Sequence, residues 1–273
     1  MKSEINFLNQ SLICPDCRLP LKIRFNKNVI SCECGSEFYA DNQNKKIFID
    51  FLRNTRNNQI YNKKLPNLNF GNEKMKEVAK YINPNKSVLD IGSEFFQLQN
   101  FLKNNLYIGI EVSYAKLQFA KAGQNVIHFD MNRNILPFKD NSFDYIVCLD
   151  VLEHLLDPIR TLEEIHRIVK SNGRVIVSLP NDYHILNRIR FILNKPIYLD
   201  PFYPYGHLHL FTRNQAKKLL SENFRIQKTI IFPGHRPKCL KFKMRKIIAD
   251  YLPNILSNIS VYVLNPKNKI QIK

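Results

Sequence analysis

The sequence predicts an α/β protein in which a doubly wound, mostly parallel sheet follows a small cysteine-rich module. From Gly71 onward, apolar runs of strand length alternate with helix-like segments, which is typical of a parallel sheet covered by helices on both faces. Four of the six cysteines lie within the first 34 residues, which sets this part of the chain apart. We therefore predict a module over residues 1–52, a basic linker over 53–70 and a large domain over 71–273.

The composition of the 273-residue chain is that of a folded protein with a strong basic excess. Hydrophobic residues make up 44% and charged residues 23%, and the 19 Phe and 12 Tyr exclude a largely disordered chain. No apolar run approaches the ~18 residues that span a bilayer, and the first residues lead into no apolar signal region. We therefore expect a cytoplasmic protein. The net charge of +18 is compatible with RNA or an anionic membrane surface as a partner, or with a solvated surface that reflects A/T-rich codons.

The cysteines of the module have the spacing of two metal-binding turns. Cys14 and Cys17 form a C-x-x-C pair, and Cys32 and Cys34 form a C-x-C pair. Two such turns can bring four thiolates to one structural zinc ion, which would stabilise a module with little apolar material. The shorter pair needs an additional turn, because alternate side chains of a straight strand point to opposite faces, and Gly35 can provide it. A disulfide pair, or a module that has lost its metal, are the alternatives. Between the two pairs we expect a hairpin of residues 19–25 and 28–31.

The large domain consists of short apolar runs separated by helical patterns. The predicted strands are 87–91, 106–111, 125–130, 143–149 and 174–180. A helix is predicted to follow Asp157, which can cap its first turn, with Pro158 at the first helical position. An irregular insertion over 181–211, rich in proline and aromatic residues, is interpreted as a lid or acceptor wall, or as an ordinary packed loop. A basic helix over 236–252 is interpreted as a cover for the sheet, or as a surface for anionic lipid or RNA.

Acidic residues stand at the ends of three predicted strands. Asp90 and Gly92 lie at the end of the first strand, Glu111 at the end of the second and Asp130 at the end of the third. In doubly wound folds, ligands bind beyond the carboxyl ends of the strands. Glu111 follows Asp90 by 21 residues, a spacing at which a carboxylate meets a ribose. The three acidic residues therefore predict a nucleoside site, although each could instead cap a nearby loop.

Three segments of the large domain resemble class I S-adenosylmethionine-dependent methyltransferases of the ubiquinone-type group. They are Asn134-Ile-Leu-Pro-Phe to Leu-Glu-His-Leu-Leu-Asp-Pro158, Glu164-Ile-His-Arg to Ser-Leu-Pro-Asn181, and Gly206-His-Leu-His-Leu-Phe-Thr212. The resemblance implies a seven-stranded sheet whose last strand, at residues 260–264, runs antiparallel. It also implies that S-adenosylmethionine contacts Asp90, Gly92, Glu111, Asp130 and Met131.

The cysteine module resembles two known zinc ribbons over about residues 10–52. One belongs to the activator subunit of tRNA and protein methyltransferases, and the other precedes some rRNA guanine methyltransferases. The resemblance implies a structural zinc ion held by Cys14, Cys17, Cys32 and Cys34, because four thiolates leave no open coordination position.

One loop departs from the methyltransferase pattern. The family's first loop reads Asp-x-Gly-x-Gly-x-Gly, whereas this chain reads Asp90-Ile-Gly92-Ser-Glu-Phe-Phe96. Bulky side chains therefore replace the bare backbone that the cofactor approaches. Either the loop has shifted and reshaped the pocket, or cofactor binding is weak or lost.

His154 is the candidate general base, because it follows the fourth strand and faces the expected site. A base is needed only if the acceptor is a hydroxyl or a protonated amine. The alternative is that Glu153 and His154 only fix the loop. His207 and His209 alternate in a strand-like run, so at most one of them should reach the pocket.

The sequence leaves three functions open. The first is methyl transfer from S-adenosylmethionine to a small-molecule acceptor, which could be a saccharide, a lipid-linked compound or a quinone-like compound. The second is an RNA methyltransferase that uses the zinc ribbon, the basic linker and the basic tail. The third is a non-catalytic binding protein, because the glycine loop is degenerate.

Overall fold

A computed structural model describes residues 2–23, 28–42, 46–52, 72–117, 120, 124–133, 135–197, 207–233 and 242–268. The helices are α1 (Lys2–Ser11), α2 (Asn72–Ala79), α3 (Tyr114–Leu117), α4 (Pro158–Ile168), α5 (Ile185–Ile192), α6 (Arg213–Asn223), α7 (Phe242–Tyr251) and α8 (Pro253–Leu256). The strands are β1 (Val29–Ser31), β2 (Glu37–Asp41), β3 (Phe48–Asp50), β4 (Ser87–Ile91), β5 (Leu106–Glu111), β6 (Asn125–His128), β7 (Phe143–Leu149), β8 (Val169–Pro180), β9 (Phe224–Pro233) and β10 (Ser257–Pro266). Two 3-10 turns, Gln97–Phe101 and Leu152–His154, follow β4 and β7.

The described strands form one sheet in the order β1-β2-β3-β6-β5-β4-β7-β8-β10-β9. The five strands from β6 to β8 run parallel. Strand β10 is antiparallel to β8, which confirms the predicted orientation of the last strand. The α/β, Rossmann-like fold class is therefore confirmed.

The predicted strand count of seven is wrong, because the sheet has ten strands in the described part of the chain. Strands β4–β10 make up the seven-stranded part. The other three come from the cysteine module: β3 lies parallel to β6, with β2 and β1 beyond it. The module thus extends the sheet at the edge that β6 would otherwise leave unpaired.

Side chains also join the module to the large domain. The buried carboxylate of Asp50 on β3 lies 2.9 Å from Nδ1 of the buried His128 on β6, whose Nε2 lies 3.0 Å from the Val112 carbonyl oxygen. The backbone N–H of Ile13 donates to the Pro137 carbonyl. Apolar side chains of both parts belong to one buried cluster. The cysteine module and the large domain therefore share one sheet and one core.

Local sequence explains the elements that position the site. Strands β4, β5 and β7 coincide with the predicted apolar runs, because side chains on both faces of these inner strands are buried. Helix α4 begins as predicted: the Asp157 carboxylate accepts from the Arg160 backbone N–H, and Pro158 occupies the first turn. The hairpin expected of residues 19–25 and 28–31 is not formed by its described residues, because 21–23 are not a strand and β1 pairs with β2 across the second cysteine turn. Residues 24–27 lie outside the described part of the chain.

Several predicted segments lie wholly or partly outside the described residues. The linker 53–70 does so entirely, as do residues 198–206 of the insertion and 236–241 of the basic helix. The boundaries proposed for module, linker and large domain stay predictions. Among the helices that the structure describes, none has the length and apolar character needed to cross a bilayer.

Candidate active site

The carboxyl ends of four parallel strands place acidic residues along one edge of the sheet. Asp90 belongs to β4, Glu111 ends β5, Asp130 follows β6 and Asp150 follows β7. The register sets Ile91 opposite Ile110, and Glu111 opposite His128. The predicted site residues are thus gathered at this edge, while their role in binding stays a prediction.

Asp90 is a buried carboxyl that is anchored within the sheet. The Tyr107 hydroxyl on β5 donates to Asp90 Oδ2 at 2.6 Å. Burial, together with the charges of Glu111 and Glu94, raises the pKa of Asp90 to about 7 against the effect of the Tyr107 hydrogen bond. Asp90 is therefore held near the midpoint of its titration at neutral pH.

The loop after β4 makes a tight turn at Gly92, whose φ is +68°. The backbone N–H groups of Gly92 and Ser93 both donate to the Ile110 carbonyl, at 2.9 and 3.0 Å. A Cβ atom at residue 92 would lie 2.4 Å from Val151 Cγ2. Only glycine therefore fits here, since a side chain would be strained and would overlap the loop after β7.

The bulky residues of this loop are accommodated by the neighbouring strand. Phe96, in a left-handed conformation with φ of 57°, is fully buried. Its ring packs on the bare backbone of Gly109 in β5, where a Cβ atom would lie 2.6 Å from Phe96 Cε1. Phe95 is half-buried under the Lys116 ammonium, 5.9 Å from the ring centroid. The Phe96 ring thus fills the core beside β5.

Glu111 holds the loop in place through both carboxylate oxygens. Its Oε2 accepts from the Glu94 backbone N–H at 2.9 Å, and its Oε1 accepts from the Ser113 N–H at 2.8 Å. Burial raises the pKa of Glu111, although Lys116 and these N–H groups oppose the shift. A carboxylate has about four acceptor sites, so two hydrogen bonds leave capacity for a ribose.

Asp130 and Met131 lie in the loop after β6. Asp130 Oδ1 accepts from the backbone N–H of Asn132 at 2.9 Å and from its side-chain amide at 3.2 Å. Met131 is buried and lines a cleft of about 220 Å³ with Leu156 and Arg160. Asp130 therefore caps its own loop. Loop capping was one of the two roles that the sequence left open for Asp130, and ligand binding was the other.

These residues fit an adenosyl group on two observations. Phe96 packs into the core. The Glu111 carboxylate stands at the strand end with acceptor capacity remaining. A nucleoside at this edge would meet a carboxylate that can accept from both of its hydroxyls.

A second polar group follows β7. Asp150 has a φ of 54° and forms an ion pair with Lys74 of α2, while the Ser178 hydroxyl of β8 donates to its carboxylate. Burial opposes ionisation, but Lys74 and Ser178 together lower the pKa of Asp150. Asp150 is therefore ionised, and it is held in place directly after the carboxyl end of β7.

The imidazole rings of His154 and His207 are in contact near the loop after β7. Their ring centroids are 5.1 Å apart with the rings nearly perpendicular. Nδ1 of His207 lies 2.9 Å from Asp182 Oδ1, and its Nε2 lies 4.0 Å from Glu153 Oε1. His209 Nε2 instead lies 2.9 Å from the Leu155 carbonyl oxygen. Of His207 and His209, it is therefore His207 whose ring packs against His154.

Sequence reasoning missed Asp182 and Lys74. Asp182 is buried after β8 and accepts from the Phe211 N–H as well as contacting His207. Its place directly after Pro180-Asn181, at a predicted strand end, was a usable signal. Lys74 lies at the start of a helix whose sequence gives no indication of its partner.

The four module cysteines form one cluster, in which all sulfur atoms lie within 4.8 Å of one another. Cys14 and Cys34 are 3.8 Å apart, and Cys17 and Cys32 are 3.3 Å apart. Zinc bound to four sulfurs at ~2.3 Å requires S–S separations of about 3.8 Å, so the cluster fits zinc. Gly35, with φ of +90°, makes the predicted turn after Cys34.

The fold, with acidic residues at its strand ends, is that of a Rossmann-like α/β protein of the methyltransferase type. A sequence family described as "Methyltransferase domain" matches residues 61–225. Because this match covers more than half of the chain, the protein belongs to the class I S-adenosylmethionine-dependent methyltransferase family.

Individual relatives match only part of this chain. An uncharacterized protein of Methanocaldococcus jannaschii is 35% identical over 124 residues, which are 42% of this chain and 52% of that protein. The ubiquinone/menaquinone biosynthesis C-methyltransferase UbiE of Pseudoalteromonas translucida is 35% identical over 68 residues, 25% of this chain and 27% of that one. The chain thus spans about half or less of the length of these relatives. A methyltransferase structure from Thermotoga maritima superposes with a TM-score of 0.54 at 21% identity, covering 72% of this chain and 90% of that one. This last likeness concerns the fold alone.

Proposed function

We propose that this protein transfers a methyl group from S-adenosylmethionine to a small, lipid-linked acceptor at an anionic membrane surface. Asp90, Gly92, Glu111, Asp130 and Met131 hold the cofactor, and His154 lies on the acceptor side. The observation that carries the proposal is the buried Glu111 carboxylate, which holds the loop after Gly92 and keeps acceptor capacity at the strand end.

The cofactor supplies a methyl group on a positively charged sulfur. The task of the protein is to hold donor and acceptor in contact and to keep water out. Glu111 binds the ribose, and the turn at Gly92 brings the first loop onto the Glu111 carboxylate. If the acceptor is a hydroxyl, His154 takes its proton. If the acceptor is a carbon nucleophile, His154 orients the loop after β7.

Helix α5 supports a lipid-linked acceptor. It directly follows the Asp182 turn, and the Asn187 side chain donates to the Asp182 carbonyl at 2.8 Å, so the helix is tied to the segment that contacts His207. Its outer surface and the residue after it expose six large apolar side chains: Ile185, Leu186, Ile189, Phe191, Ile192 and Leu193. Phe191 is 77% and Ile192 79% exposed.

Basic residues accompany these apolar side chains. Arg188 and Arg190 lie in α5 and Lys195 follows it, with no acidic residue over 183–197. An apolar surface bordered by cations suits the boundary between lipid headgroups and acyl chains, and each cation near an anionic membrane contributes about 1 kcal/mol. The α5 surface therefore favours a membrane over RNA, whose phosphates would need cations but not exposed Phe and Ile.

The cofactor assignment is tested by calorimetric titration with S-adenosylmethionine. Glu111→Ala should weaken binding about 10- to 100-fold, because hydrogen bonds to a charged group contribute about 1.5–3 kcal/mol. Glu163→Ala, which removes an exposed carboxylate of α4, is the matched control and should leave binding unchanged. Absence of binding to the wild-type protein would leave only the non-catalytic alternative.

The membrane assignment is tested by co-sedimentation with vesicles. The protein should bind vesicles that contain phosphatidylglycerol and not neutral phosphatidylcholine vesicles. The double variant Phe191→Asp/Ile192→Asp should lose at least 90% of this binding. Ile159→Asp, at an exposed apolar position of α4, should retain it. Binding to RNA but not to vesicles would instead support the RNA methyltransferase.

A further inference from the structure

Three metal-ligating side chains come together beside the loop after β7: Glu153, His154 and His207. Glu153 and His154 are consecutive in the short turn Leu152–His154, and His207 comes from a segment more than fifty residues later. One ligand atom from each residue lies within 4.8 Å of the other two. Ligand atoms bound at ~2.1 Å to one tetrahedral ion lie about 3.4 Å apart. Side-chain movements of about 1 Å would therefore bring all three within reach of one ion.

The Glu153 carboxylate has an unsatisfied oxygen in the part of the chain that the structure describes. The side chain is 1% exposed, and its Oε2 has no hydrogen-bond partner there. Its Oε1 is 4.0 Å from His207 Nε2, which is beyond hydrogen-bonding distance. A buried carboxylate of this kind is costly unless it is protonated or bound to a cation.

His207 is oriented as a metal ligand. Its Nδ1 lies 2.9 Å from the buried Asp182 carboxylate, whose other oxygen accepts from the Phe211 N–H at 2.9 Å. This contact fixes the ring in a position where Nε2 lies 4.0 Å from Glu153 Oε1. Metal-bound histidines commonly contact a carboxylate through their second ring nitrogen in this way.

We propose that Glu153, His154 and His207 bind one divalent transition-metal ion, with Asp182 as the positioning residue of His207. Two imidazoles and one carboxylate leave coordination positions open, unlike the closed four-thiolate set of the cysteine cluster. The ion would satisfy the Glu153 charge. On the proposed function, an open position could also bind an acceptor hydroxyl and lower its pKa, so that its proton passes to water and His154 acts as a ligand instead of as the base.

The site is tested with Mn²⁺, whose binding is followed by electron paramagnetic resonance of the free ion. Mn²⁺ prefers carboxylate ligands to thiolates, so it reports on this site and not on the cysteines. We expect one bound Mn²⁺ per chain in the wild-type protein. Glu153→Gln and His207→Gln should each weaken binding at least tenfold. Asp182→Asn, which keeps all three ligands, should weaken it about 10- to 100-fold.

His209→Gln is the matched control, because His209 lies two residues from His207 and contacts the Leu155 carbonyl instead. This variant should bind Mn²⁺ as the wild type does. Thermal unfolding provides a second measurement: Mn²⁺ should raise the melting temperature of the wild type but not of Glu153→Gln. Equal Mn²⁺ affinity in wild type and Glu153→Gln, or no Mn²⁺ binding by the wild type, would overturn the proposal. Neither cofactor nor acceptor is present, so this outcome is independent of the cofactor titration.

Discussion

Replacement of Gly109 by alanine tests whether the first loop depends on the bare backbone of β5. In the wild-type protein a Cβ atom at this position would lie 2.6 Å from Phe96 Cε1, 2.7 Å from Phe96 Cδ1 and 2.7 Å from Ser93 Oγ. Cβ atoms essentially never approach so closely. Because Phe96 is fully buried, its ring cannot move into solvent without losing its packing.

The magnitude follows from the cost of overpacking a core. One added methyl group should destabilise the protein by about 1–3 kcal/mol. For a chain of this size, 1 kcal/mol corresponds to a shift of about 2–4 °C in melting temperature, so Gly109→Ala should lower it by roughly 2–12 °C. Displacement of the loop should also weaken S-adenosylmethionine binding, because Glu111 holds the same loop through the Glu94 N–H.

The assay combines urea unfolding with cofactor titration, and the double variant Gly109→Ala/Phe96→Leu is the control. The smaller side chain removes the ring atoms that the new methyl group meets. The double variant should therefore lose less stability than the sum of the two single variants, a coupling that only contacting residues show. Unchanged stability in Gly109→Ala, or strict additivity in the double variant, would refute the packing argument.

Two further predictions concern the cysteine cluster and Asp90. Metal analysis should find one zinc per chain. Cys14→Ser should abolish this zinc and destabilise the whole sheet, whereas Cys148→Ala, which removes a buried thiol of β7, should keep it. Burial first, and then the Glu111 and Glu94 charges, raise the pKa of Asp90 from 3.8 to about 7. The folded protein therefore holds a proton that the unfolded chain releases, and this contribution to stability is lost as pH rises from about 4 to 7. Asp90→Asn should reduce that decline in urea unfolding measured at pH 5 and pH 8. An unchanged pH dependence would contradict the shift.

The sequence was sufficient to predict the inner strands and the acidic residues at their ends. Strands β4, β5 and β7 are short apolar runs whose limits are visible without a structure, and Glu111 ends such a run. The helix start at Asp157 was equally local. These features depend on neighbouring residues only, which is why composition and spacing predict them.

Contacts between distant residues could not be predicted in the same way. The first loop suggested bulk in the cofactor cleft, but Gly109 in the next strand provides the space that Phe96 fills. Alternation of His207 and His209 indicated that one would reach the site. Which one does so depends on Asp182, 25 residues earlier. The pairing of β3 with β6 likewise depends on backbone hydrogen bonds that no side-chain pattern specifies.

The extension of the sheet by β3 bears on how the protein can be truncated. The Val126 N–H donates to the Ile47 carbonyl at 2.8 Å, and the Phe51 N–H donates to the His128 carbonyl at 3.1 Å. A fragment that begins at residue 71 would leave those β6 groups unpaired and remove Asp50 from its contact with the buried His128. Exposed strand edges promote association between chains, so such a fragment should aggregate more readily than the 273-residue chain.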